Sequence, residues 1–163
     1  MNAVKKALDK TLEWLTITAV AVLVVDVTWQ IITRFVINHP SSWTEEFATF
    51  LMMWVGLLGA AVAVNYKAHL GIDFFVLRLP GRLRFGVEMA VYLLVALFAT
   101  VIMIVGGLEL VQKTLVTNQV SPALNWKMGY VYLCLPVSGF FIAVYSAMHF
   151  GTAMMRLVKK ESV

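Results

Sequence analysis

Asp26, Arg34, Glu45, Glu46 and Glu109 lie within, or at the mouths of, long stretches that carry few or no other charges. A carboxylate at mid-bilayer is costly and is a functional candidate by default. Asp26 shares a helical face with Gln30 and Thr33. It is either an ion- or proton-handling group or a packed residue hydrogen-bonded to a hydroxyl such as Thr100 or Ser138. A proton relay needs several acids or histidines in series, and one acid at that depth favours the packed reading. Arg34 with Glu45 or Glu46 suits an ion pair between two helices joined by the short turn Asn38-His39-Pro40. Removing either charge would leave the other in a poor dielectric. Glu109 is a second partner for Arg34, or it pairs with Lys113 four residues on. These are structural roles, and none implies turnover.

His39, His69 and His149 are the candidates for haem ligation, as in small four-helix membrane anchors. His39 falls in one turn, His69 in a loop on the other side and His149 near the inner end of the last apolar run. Only His69 and His149 share a level, and His69 is not within a helix, so haem is disfavoured. Cys134 stands alone inside an apolar run, which excludes an internal disulfide. No Ser/His/Asp set, phosphate loop or metal-spaced cluster is present in the sequence, and no cofactor is expected. An enzyme is the disfavoured class.

The elements that must position these groups are apolar helices. Hydrophobic residues make up 61% of the 163 and charged ones 13%, and the mean hydropathy is +0.84. Such a chain lies outside the soluble class. Uncharged or nearly uncharged runs cover 15–37, 47–64, 83–111 and 128–155. The expected fold is one all-α membrane domain of four long transmembrane helices over about 12–37, 43–65, 83–113 and 127–156. The third run, at 1.5 Å per residue, is about 40 Å long and must tilt or project. Pro136 followed by Gly139 predicts a kink in the fourth.

The second run is the most informative. Ser42-Trp43-Thr44-Glu45-Glu46 leads into it, and Ser42 with Glu45 has the spacing of a capping box. Acids in this first turn suit the positive end of the helix dipole. Gly56, Gly59, Ala60 and Ala63 follow at i, i+3, i+4 and i+7, a small-residue face of the kind through which transmembrane helices approach closely. Carried upward, that face meets Met52, Thr49 and Glu45, so Glu45 is expected to point at protein.

Lys5, Lys6, Lys10, Lys67, Arg78, Arg82, Arg84, Arg156, Lys159 and Lys160 fall on one side of a four-crossing chain, against Lys113 and Lys127 on the other. The positive-inside rule then puts both termini in the cytoplasm. The first run reads as an uncleaved anchor, because it is too long for a signal peptide and no cleavage site follows. Trp43, Trp126, Tyr130 and Tyr132 make an outer aromatic belt, with Trp14 on the inner side. Residues 71–79 are apolar but too short to span, and Pro80-Gly81 stops them. They read as a short interfacial segment, with Arg78, Arg82 and Arg84 near lipid phosphates. The net charge of +4 implies no nucleic-acid partner, since no basic stripe with interleaved aromatics exists.

Arg34-Phe35, Trp43-Thr44-Glu45-Glu46, Gly59-Ala60-Ala61-Val62-Ala63, His69-Leu70-Gly71-Ile72-Asp73 and Leu79-Pro80 occur in that order, followed by Ser121-Pro122-Ala123-Leu124 and Leu135-Pro136. This resembles the small membrane subunit of tripartite ATP-independent periplasmic (TRAP) transporters, over almost the whole chain. The resemblance implies a non-catalytic four-helix scaffold in the bacterial inner membrane, bracing a large, many-helix subunit. That subunit would hold the substrate and sodium sites and move as an elevator. It also implies a periplasmic substrate-binding protein delivering an organic acid such as a dicarboxylate or sialic acid. Trp43 and Trp126, in the outer loops, are the residues placed to touch that protein. Two other classes stand beside this one. A membrane anchor of a respiratory or redox complex would need the histidines, and a self-sufficient small transporter would rest on Asp26 alone.

Overall fold

A computed structural model describes residues 2–39, 41–66 and 81–161, with side chains at 5–39, 41–66 and 86–155. The chain is an all-α membrane protein. Its elements are α1 (Asn2–Phe35), α2 (Ser42–Asn65), α3 (Gly81–Phe98), a π-helical stretch (Ala99–Gly106), α4 (Gly107–Val116), α5 (Met128–Tyr132) and α6 (Cys134–Glu161). Four segments within them are long and apolar enough to cross a membrane: Lys5–Phe35, Ser42–Asn65, Gly86–Val116 and Met128–Met155. The interfacial reading of 71–79 lies outside the described residues, as do Arg78 and the side chains of Arg82 and Arg84.

α1 is 34 residues long, about 50 Å at 1.5 Å per residue. It starts well before residue 12, because the charged first turns are composed of good helix formers. Its inward residues, Asp9, Leu12, Thr16, Ala19, Leu23, Asp26, Gln30 and Thr33, alternate in steps of three and four. That is a 3.5-residue repeat, the period that keeps one seam of a helix against a neighbour. The neighbour is α2, which runs back antiparallel after a turn in which Asn38 takes φ 56°. Asparagine tolerates this left-handed conformation better than most side chains.

α6 is the central element. Half of its spanning window is buried inside the chain, against 6% for α1. Phe141, Ile142 and Tyr145 of α6 meet Leu58, Ala61 and Val64 of α2, Ala99 and Met103 of the third span, and Leu12 of α1 in one apolar cluster. Close approach between the third and fourth spans depends on Gly139 and Gly129. A Cβ on Gly139 would lie 2.7 Å from the Met103 Cβ, and one on Gly129 would lie 2.5 Å from the Leu115 Cγ.

The helical hydrogen bonding of the fourth span is interrupted at Leu133, between α5 and α6. Pro136 has no N–H to offer the carbonyl four residues back, at Tyr132, and its ring crowds that carbonyl. The interruption therefore falls one turn before the proline. The π-helical stretch of the third span lies against this region, with Gly107 facing Pro136.

Candidate functional site

Two clusters of polar side chains tie the bundle together, one at each end. At the end holding the α1–α2 turn and residues 117–127, α2 begins at Ser42 with Ser41 as its cap residue. Ser41 Oγ bonds Thr44 Oγ1 at 2.5 Å, and Thr44 Oγ1 donates to the Ser41 carbonyl at 2.8 Å. The Ser42/Glu45 capping box does not form. The serine that caps stands one position earlier, and its side chain is engaged by a buried threonine.

The ion pair between Arg34 and Glu45 or Glu46 does not form either. The last inward positions of α1 are Gln30 and Thr33, so Arg34 turns outward, with its guanidinium 5.8 Å from the Phe35 ring. Glu45 is exposed as well. Glu46, half-buried, finds backbone instead: its Oε2 accepts the Ala123 N–H at 3.0 Å and the Leu124 N–H at 2.8 Å. Those amides belong to a turn closed by Ser121 N–H to Trp126 O at 2.9 Å and Met128 N–H to Gln119 O at 2.9 Å. The segment Ser121-Pro122-Ala123-Leu124 is therefore a receptor for a carboxylate. Phe47 meets Trp126 edge to face at 5.8 Å. Trp43, Trp126 and Tyr130 are exposed around this cluster. Glu109 pairs with Lys113 at 2.8 Å on the exposed face of α4.

At the opposite end a second carboxylate collects side chains. Asp9 Oδ1 accepts from Tyr145 OH at 2.8 Å and Asn65 Nδ2 at 3.1 Å, joining α1, α2 and α6. One turn on, Glu13 Oε1 accepts from Tyr66 OH at 2.6 Å. That hydrogen bond, with the carboxylate's charge, holds the Tyr66 phenol above its ordinary range. Nearby Tyr92 stacks on His149 with centroids 5.5 Å apart. Sequence reasoning missed Asp9 and Glu13. Their signal is an i, i+4 acid pair set among Lys5, Lys6 and Lys10, in register with the inward seam of α1.

Between the ends, Asp26 is 6% exposed and its Oδ2 has no hydrogen-bond partner among the described residues. The hydroxyls expected to meet it are spent on their own helices, Thr100 on the Ala96 carbonyl and Ser138 on those of Cys134 and Leu135. Gln30 is half-buried beside it on the seam, and its carbonyl accepts from Thr33 Oγ1. The small-residue face of α2 is turned away from the core of this chain. Leu58, Ala61 and Val64 face the bundle, whereas Gly56 and Ala60 are exposed, and a Cβ on Gly56 or Gly59 would have nothing within 4 Å. Beside Gly56 a groove of about 430 Å³ runs between α2 and the third and fourth spans, lined by Met52, Met53, Leu57, Leu110, Tyr132 and Leu135 among others.

This arrangement fastens helices and presents apolar faces outward. Among the described residues no group of three His, Cys, Asp or Glu could hold a metal ion. His39 and His149 lie at opposite ends of the bundle, and His69 lies outside the described residues.

Residues 8–156 match the family described as Tripartite ATP-independent periplasmic transporters, DctQ component. The chain is 30% identical to the sialic acid TRAP transporter small permease protein SiaQ of Vibrio cholerae, over 87% of this chain and 80% of that one. It is 27% identical to a putative TRAP transporter small permease protein of Haemophilus influenzae, over 88% and 87%. It also matches the isethionate TRAP transporter permease protein DctMQ of Oleidesulfovibrio alaskensis at 31% identity, over 63% of this chain but 16% of that much larger one. The chain thus belongs to the DctQ component family of tripartite ATP-independent periplasmic transporters, as a multi-pass small subunit of the bacterial inner membrane.

Proposed function

We propose that this chain is a non-catalytic brace: the small subunit of a sodium-coupled TRAP importer of an organic acid, steadying the fixed part of a large elevator-type subunit. The observation that carries this reading is the outward small-residue face of α2. Gly56 and Ala60 are exposed, and a Cβ on Gly56 or Gly59 would meet nothing of this chain within 4 Å; in lipid such faces are where a second helix approaches. The large relative matched over only 16% of its length supports a big membrane partner. Relatives named for sialic acid and C4-dicarboxylate support an organic acid such as these. The lysine and arginine asymmetry supports cytoplasmic termini. The Glu46-bound turn, flanked by Trp43 and Trp126, would then face the periplasm and the substrate-binding protein.

Reconstitution tests the reading. Vesicles holding this chain with its large subunit and binding protein take up the organic acid when a sodium gradient is imposed, and vesicles holding this chain alone take up none. Gly56→Leu lowers recovery of the large subunit with the tagged chain. Uptake by the chain alone, or full recovery with Gly56→Leu and Gly59→Leu combined, would overturn it.

A further inference from the structure

The first turns of α1 separate their charges by face. Asp9 and Glu13 point into the bundle, where Tyr145, Asn65 and Tyr66 occupy them. Lys6 and Lys10 point outward, and neither pairs with a carboxylate among the described residues. On that outward side Ala7, Lys10, Thr11, Trp14, Leu15 and Thr18 form one continuous, open face of α1. It straddles the boundary between the charged first turns and residues 14–25, which carry no charge.

We infer that this face binds one anionic phospholipid, with its phosphodiester on Lys10 and Trp14 and the start of an acyl chain along Leu15 and Thr18. Lys10 and Trp14 offer donors, three ammonium protons and the indole N–H, to a phosphate that only accepts. Trp14 is 61% exposed, and its amphipathic ring suits the headgroup level. Thr11 Oγ1 donates back to the Ala7 carbonyl at 2.8 Å, so its oxygen is left to accept from a headgroup hydroxyl. The acids that would neutralise Lys10 are already engaged on the other face. This segregation turns a flanking lysine into an anion site, and the apolar part of the face selects a lipid over a free anion.

Native mass spectrometry of the intact chain in mild detergent, titrated with phosphatidylglycerol, phosphatidylcholine or inorganic phosphate, tests the assignment. One phosphatidylglycerol is retained per chain in preference to phosphatidylcholine. Lys10→Gln weakens retention about fivefold, the size of one lysine–headgroup contact, and Lys10→Arg restores it. Trp14→Leu weakens it as well, while Lys127→Gln, at the other end of the bundle, leaves it unchanged. Both altered side chains project away from the core, and unchanged melting of each variant confirms that folding is intact. Equal retention by wild type and Lys10→Gln, equal binding of phosphatidylcholine, or displacement of the lipid by inorganic phosphate would each overturn the proposal.

Discussion

The two ends of the bundle solve one problem in opposite ways. Each uses a carboxylate on an early helix to hold later parts of the chain. Glu46 is recognised by the backbone amides of Ala123 and Leu124. Asp9 is recognised by the side chains of Asn65 and Tyr145. A backbone receptor requires the turn to be folded first, but it places little demand on side-chain identity. A side-chain receptor requires two particular residues on two particular helices. The loop clamp is therefore a device of conformation and the other a device of composition.

Glu46→Ala should break the comparison most visibly, because it strands two amides that had a charged acceptor. Hydrogen bonds to charged groups are worth about 1.5–3 kcal/mol each. Amide exchange at Ala123 and Leu124 should accelerate about a hundredfold, the factor for a local loss of about 3 kcal/mol. Unchanged exchange there would mean that the turn's own backbone bonds hold it without Glu46. Asp9→Ala comes next. The Tyr145 hydroxyl loses its acceptor inside the bundle, and thermal unfolding in detergent should report a loss of about 2 kcal/mol. Tyr145→Phe should cost less than Asp9→Ala, since it removes the donor together with its need for a partner; a larger loss would show that Asp9 depends on that phenol. Tyr66→Phe, at an exposed position, should leave the melting temperature unmoved and so separate the Glu13 contact from the clamp proper. Glu109→Ala should be silent by the same measurement, as expected for an exposed i, i+4 pair.

Helix number and type were legible because an uncharged run of spanning length has few alternatives in lipid. The facing of each helix was harder to read. Small residues on α2 mark a packing face, yet nothing in the spacing of Gly56, Gly59, Ala60 and Ala63 says whose helix they pack. Arg34 and Glu46 are close to one short turn, and proximity along the chain suggested a pair. The rotation of α1 was set by its polar seam, which runs through Gln30 and Thr33 and leaves Arg34 outside. Glu46's true partners are more than seventy residues away and are backbone N–H groups, which every residue but proline possesses. The interruption at Leu133 was readable only to within a turn, because a proline's steric demand falls on the carbonyl four residues earlier.

The alternation of threes and fours along α1 bears on how the protein enters its membrane. Thr16, Asp26, Gln30 and Thr33 hide against α2; a solitary α1 would present them to hydrocarbon, which tolerates such groups poorly. The first two crossings are therefore expected to partition together as a preassembled hairpin. Delaying synthesis of α2 should leave α1 waiting at the insertion machinery instead of released into lipid.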